Sequence, residues 1–267
     1  MKKAKSKMAA ACVVLVAALM LASCGFINIG DEIADAITQG VATIVEEVTV
    51  IAIDEMPLGE AVLYGFVAPV TARHIEVSLI TNSLDIQFHD DDPENIRVTF
   101  YPPSTGDFVT PEAAPPNGTG RLEIAEPRTT TTGTMRGGLL RISLPRGTAV
   151  VESMNLRATN GAVRIAGDGT NLANSVEIIV SNGAISLQSF EVGDILTRTT
   201  NGTISAVNLA ASTLELRSTN GLITLRDSAV TGDLTARTTN GGVTLENVEA
   251  DMDRADVGTV NGHVTIR

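Results

Sequence analysis

The sequence has no tryptophan, and aromatic residues make up only 3 % of its 267 positions. A core built from it has to be aliphatic, and there are few rings on which a sugar could stack. There are two cysteines, Cys12 and Cys24. Cys12 lies inside an apolar leader, so the mature chain would hold one thiol and no internal disulfide. Histidine occurs three times, at His74, His89 and His263, far apart along the chain. No H-x-x-x-H, C-x-x-C, G-x-S-x-G or P-loop pattern is present, which removes the common sequence signatures of metal, thiol, serine-hydrolase and nucleotide chemistry.

Long hydrophobic runs are also missing. The longest, Met8 to Ala22, is fifteen residues, whereas a spanning helix needs about 20. It follows MKKAKSK, with four lysines, and ends in Leu21-Ala22-Ser23-Cys24-Gly25. A basic start, a short apolar stretch and small residues before a cleavage point read as a secretory signal over residues 1–23. The last residues resemble a bacterial lipobox, which implies cleavage before Cys24 and acylation of its thiol. Such acyl chains anchor a protein through about 0.8 kcal/mol per buried methylene. The resemblance points to the bacterial cell envelope, at the outer membrane, the periplasmic face or the cell surface. Gly25 lacks the Asp of an inner-membrane retention signal.

Net charge is −12; without the four leader lysines, 15 cationic residues face 31 acidic ones and it becomes −16. A chain this acidic is repelled by nucleic-acid backbones and by anionic lipid, so membrane contact is expected through the lipid alone. After Cys24, the residues Ile33, Ile37, Val41, Ile44, Val45 and Val48 recur at spacings of three and four. This predicts a partly helical tether over residues 24–60, with Asp31 and Glu32 where the helix dipole favours acids.

From His74 the period changes to two. HIEVSLITNSLDIQF, NIRVTFY and GLLRISLP alternate apolar and polar residues as strands do. Residues 102–134 are rich in Pro, Thr and Gly and read as a surface insertion containing one short strand, RLEI. Then a repeat begins. Asn-Gly occurs at Asn160-Gly161, Asn182-Gly183, Asn201-Gly202, Asn220-Gly221, Asn240-Gly241 and Asn261-Gly262, at spacings of 22, 19, 19, 20 and 21. Positions six and four before Asn, and three and five after it, are almost all aliphatic. Each copy is therefore strand, corner, strand, with one buried face.

Asn-Gly between alternating strands is also a hairpin signal. A hairpin, however, has no use for a particular residue three places before the turn. Here that place is Arg in Arg157, Arg198, Arg217 and Arg237, and the place before Asn is Thr or Ser in five copies of six. In a parallel solenoid, equivalent residues stack about 4.8 Å apart, and like stands on like. The expected fold is thus an all-β, single-chain parallel β-solenoid over 61–267, with rungs of about 20 residues. Right-handed coiling follows the rule for parallel crossovers. The corner Gly and Asn are expected to supply left-handed backbone, with the Asn amides bonding along the stack. Arg198, Thr200 and Ser205 are expected to join ladders of like residues.

GGLLRISLPRGTAVVESMNLRATNGAVRI (137–165) and the T-N-G runs after it resemble the bacterial putative-adhesin family, over roughly residues 74–267. That resemblance implies a β-solenoid domain of unknown function and carries over no catalytic residue.

Few residues offer chemistry. Asp90, Asp91, Asp92 and Glu94, and separately Asp251, Asp253 and Asp256, carry oxygen ligands of the kind Ca²⁺ takes. They do not recur rung by rung and read as solvated acidic loops, so no cofactor is expected. The Arg row could meet a polyanion, although overall charge opposes this. The sequence therefore points to a lipid-anchored, non-catalytic module for adhesion or structure, meeting an envelope protein or a polysaccharide. Two alternatives stand beside it. One is self-association through an open terminal rung ending in GHVTIR. The other is a β-helix enzyme acting on polysaccharide, for which the short, similar links offer little cleft.

Overall fold

The computed structural model describes residues 58–59, 62–69, 72–114, 120–128, 136–146 and 151–267. The leader, Cys24 and the helical pattern over 31–48 lie outside the described residues. In chain order the strands are β1 (Val62–Pro69), β2 (His74–Leu79), β3 (Ser83–His89), β4 (Asn95–Tyr101), β5 (Glu112–Ala114), β6 (Arg121–Ala125), β7 (Leu139–Pro145), β8 (Val151–Ala158) and β9 (Val163–Ala166). They continue as β10 (Asn171–Val180), β11 (Ile185–Thr199), β12 (Ile204–Ser218), β13 (Ile223–Val230), β14 (Leu234–Asn240), β15 (Val243–Ala250), β16 (Ala255–Asn261) and β17 (Val264–Ile266).

Each rung has a leading side before its Asn-Gly corner and a trailing side after it. On the leading side β6, β2, β8, β10, the second half of β11, the second half of β12, β14 and β16 pair in that order, all parallel. On the trailing side the order is β7, β3, β9, the first half of β11, the first half of β12, β13, β15 and β17, again parallel. The solenoid is therefore real, and its register is the one the repeat specifies. Val176, Ile195, Leu214, Leu234 and Ala255 pair in succession, as do Ile185, Ile204, Ile223, Val243 and Val264. Like apolar residues thus meet across every 4.8 Å step, and each fully buried one contributes about 1.5–3 kcal/mol.

The first two rungs are not stacked in chain order. β2 and β3 lie between the rung of β6 and β7 and the rung of β8 and β9. The chain builds its second rung first, passes outward, and returns. Residues 102–134 are consequently more than a surface insertion: β6 is a rung strand in register with β2, and its Leu122 and Ile124 are core residues. At this end β4 runs antiparallel to β7, β1 antiparallel to β4, and β5 antiparallel to β6. The change of direction ends the parallel repeat.

The corners work differently from expectation. None of the six rung-corner Asn-Gly pairs from Asn160 to Gly262 has positive φ. Glycine is required because successive corners touch. A Cβ on Gly202 would collide with the carbonyl oxygen of Gly183, and one on Gly221 with that of Gly202; Gly183, Gly241 and Gly262 meet the same obstacle. Left-handed residues sit instead at a second corner, seven places after Asn182, Asn201, Asn220 and Asn240: Ser189, Asn208, Asp227 and Asn247, at φ 55°, 55°, 48° and 53°. Asn and Asp tolerate that region better than other non-glycine residues.

Candidate functional site

On the outer face of the leading side three rows run along the stack. The first is Arg157, Ile179, Arg198, Arg217, Arg237 and Gly258, paired in that order. The second is Thr159, Ser181, Thr200, Thr219, Thr239 and Val260. The third is the corner asparagines. Each Asn Nδ2 donates to the Oδ1 of the Asn one rung earlier, from Asn182 to Asn160 at 2.9 Å and on through Asn201, Asn220, Asn240 and Asn261 at 2.8 Å each. The amide ladder is continuous over six rungs.

A further row, two places before Asn, gave no expectation of its own. Its hydroxyls donate to the preceding corner's glycine carbonyl: Thr199 to Gly183 at 3.3 Å, Ser218 to Gly202 and Thr238 to Gly221 at 3.0 Å, Thr259 to Gly241 at 2.8 Å. The signal was present as RTTNG, in which the first Thr points inward and the second outward.

The Arg row is laced to acids two places earlier in the rungs. Arg198 and Arg217 share Glu215 Oε1 at 2.9 and 2.7 Å, Arg157 reaches Glu177 at 3.2 Å, and Arg237 holds Asp256 with two nitrogens. Burial pushes the Glu215 carboxyl up, but the hydrogen bonds from Arg198 and Arg217 outweigh this and hold it below the usual carboxylate range. The bond from Arg237 holds Asp256 low in the same way. Beside the hydroxyl row an open groove of about 570 Å³ crosses the rungs, lined by Arg198, Arg217, Arg237, Ser181, Thr200, Thr219, Thr239 and Val260 among others.

Ser205 joins a ladder, between Ser186 and Thr224, but a covered one. Its row, Arg164, Ser186, Ser205, Thr224, Thr244 and Thr265, is buried throughout, and the Ser186 and Ser205 hydroxyls have no hydrogen-bond partner among the described residues. The same row continues into the first rungs as Asp85 and Arg141. The Asp85 side chain is 0 % exposed. It accepts from Arg164 Nε at 2.8 Å and from Arg141 Nε at 2.9 Å, and Arg141 lies over the Tyr101 ring at 5.3 Å. Nearby, the buried Glu126 carboxylate accepts the backbone N–H groups of Ile80, Thr81 and Asn82 and the Thr81 hydroxyl. In later rungs the corresponding corner N–H groups reach the carbonyls of the rung before, as Asn182 N does to Thr159 O. Glu126 supplies acceptors where no regular corner precedes. Neither arrangement has a periodic sequence signal.

The acidic candidates are drawn to separate arginines and local backbone. Asp91 bonds Arg97 at 2.7 Å and Asp90 pairs with Arg146 at 3.0 Å; Asp92 accepts from Asn95. Asp251 caps the short turn Met252–Arg254 by accepting from Asp253 N. Among the described residues no three His, Cys, Asp or Glu side chains converge on a metal position.

One arrangement of catalytic residue types does occur. His74 Nδ1 lies 2.9 Å from Ser153 Oγ, and its Nε2 lies 3.5 Å from Glu152. The N–H groups of Glu152 and Ser153 are both spent on the Arg73 carbonyl, so neither is available as an oxyanion donor beside the serine. Arg73 also engages Glu152 at 2.6 Å and holds its carboxyl low.

The crystal structure of a putative cell adhesion protein from Clostridium sporogenes ATCC 15579 is similar with a TM-score of 0.38 and 11 % identity, over 78 % of this chain and 99 % of that one. No curated protein matches the sequence. Residues 73–267, from the first rung strand to the last, match Toastrack DUF4097, and the chain belongs to that family.

Proposed function

We propose that the protein is a lipid-anchored component of the bacterial envelope whose solenoid is a non-catalytic binding module. The observation that carries the binding role is the outer face of the leading side. There Arg, Thr and Asn recur in the same order on the consecutive rungs of Arg198, Arg217 and Arg237, where burial alone would be satisfied by any polar residue. The engagement of the Glu152 and Ser153 N–H groups by the Arg73 carbonyl, which takes both from the role of oxyanion donor, supports the non-catalytic reading. The basic leader and the Leu21-Ala22-Ser23-Cys24 ending support the anchor, and Cys24 is its proposed attachment point. Among the described residues no helix is long and apolar enough to cross a membrane.

Two measurements test this reading. Palmitate labelling in a bacterial host is expected for the native chain and lost in Cys24→Ser; label that persists refutes the anchor. Incubation with acidic polysaccharides is expected to release no new reducing ends; turnover that disappears on replacing one Asp or Arg of the solenoid refutes the binding-only role.

A further inference from the structure

We infer that the groove over Arg198, Arg217 and Arg237 binds an extended acidic polysaccharide lying along the stack axis. Its acidic groups sit on the guanidinium row and its hydroxyls on Thr200, Thr219 and Thr239. This rests on the binding-module reading and gives that module a ligand class.

The first argument is periodicity. A ligand running along the groove meets the same Arg-x-Thr triplet every 4.8 Å or so, an interval close to one sugar residue of an extended glycan. A polymer with a repeating acid can satisfy successive rungs in one conformation.

The second is charge. Three guanidinium groups line the groove, and two carboxylates, Glu215 and Asp256, hold them. The groove is thus locally cationic in a chain of net charge −12. A guanidinium has five N–H donors, and Arg198 and Arg217 each give one hydrogen bond to Glu215. Their side chains are 52 % and 45 % exposed. Arg237 already grips Asp256 with two nitrogens, the fork geometry by which arginine recognises a carboxylate. Lysine occurs only at positions 2, 3, 5 and 7, so every cationic side chain after the leader other than histidine is arginine, the residue suited to planar acid groups.

The third is exclusion. Among the described residues no aromatic side chain lines the groove, so a neutral glycan finds no ring there to stack on and recognition falls to charge and hydroxyls. A nucleic-acid duplex carries one phosphate charge about every 1.7 Å of its axis, and that charge density meets the repulsion of the whole acidic chain. A polymer with one acid per sugar is charged more sparsely.

The test uses the full-length lipoprotein in detergent micelles over immobilised polygalacturonate, with dextran and polyphosphate as comparison surfaces at low salt. Binding to polygalacturonate, weakened by added salt and absent on dextran, is expected. The groove variant Arg198→Gln/Arg217→Gln/Arg237→Gln should bind at least about tenfold more weakly, a loss of about 1.4 kcal/mol. Arg73→Gln/Arg121→Gln/Arg254→Gln, with the same change of net charge elsewhere, should stay within about twofold of the native protein. Should the groove variant not fold, as judged by circular dichroism, Thr200→Val/Thr219→Val replaces it, with a loss of about threefold expected from missing hydroxyl contacts. Equal losses in both arginine variants, polyphosphate bound as tightly as polygalacturonate, or no binding to polygalacturonate would each overturn the inference. If that happens while the protein still captures other envelope material, the binding-module reading stands; if it captures none, that reading falls as well.

Discussion

The two ends of the described chain solve one problem in opposite ways. From Val151 onward the rungs are stabilised by their copies: aliphatic residues meet aliphatic residues, Asn bonds Asn, and in the last four rungs Thr or Ser closes on the glycine carbonyl before it. Before Pro145 nothing repeats so simply. The rungs stack out of chain order, antiparallel strands close the edge, and two carboxylates, Asp85 and Glu126, are buried against partners distant in sequence. A periodic stack needs only neighbours like itself, whereas its first rungs have no regular neighbour on one side and need individual solutions.

The largest test of this contrast is Asp85→Ala. It removes the buried carboxylate that accepts from both Arg141 and Arg164, at a cost of about 3–5 kcal/mol. Urea unfolding measures it, and a loss under about 1 kcal/mol would mean that this end is held by its apolar contacts alone. Next in size, Gly202→Ala sets a methyl group against the Gly183 carbonyl and should cost about 3 kcal/mol through overpacking. If the glycine served only backbone conformation, the change would be harmless, because its φ is not positive. Asn220→Ala breaks the amide ladder in the middle and removes two exposed hydrogen bonds, to Asn201 and from Asn240. About 1 kcal/mol is expected, read as a shift in the urea midpoint with unchanged slope.

The smallest effect is electrostatic. The folded values of Glu215 and Asp256 lie below their ordinary ones. Their contribution is therefore complete above the ordinary carboxylate range, near pH 4, and disappears as the pH falls through the lowered folded values. Native stability should sag slightly below pH 4. In Arg198→Gln/Arg217→Gln/Arg237→Gln that part of the acid dependence should be missing, and an identical acid profile would show that the pairs add nothing.

The repeat made the later rungs legible because stacking turns position in the period into position in space. The four aliphatic positions, the Arg row and the Asn ladder could all be read by aligning copies on one residue. The corner chemistry was only half legible. Asn-Gly marks left-handed backbone in most settings, but here the next rung's carbonyl, invisible to any local reading, is what excludes a side chain. The burial of Ser186 and Ser205 was missed for a related reason: alternation assigns them outward, and whether an outward row is covered depends on the rest of the fold. Asp85, Glu126 and the return of β6 into the stack had no periodic copy to compare. Their partners lie tens of residues away, as in the pairing of His74 with Arg121.

The corner contacts also fix how such a protein can change size. Because each glycine seats only against the glycine one turn earlier, and each asparagine only against the previous asparagine, the middle of the stack carries no record of how many turns came before. Excising residues 201–219 would join Thr200 to Asn220 and restore RTTNG, and the remaining corners would seat as before. Length is therefore set in whole turns of about 4.8 Å, and the molecule can act as a ruler whose graduations are added or removed without redrawing either end.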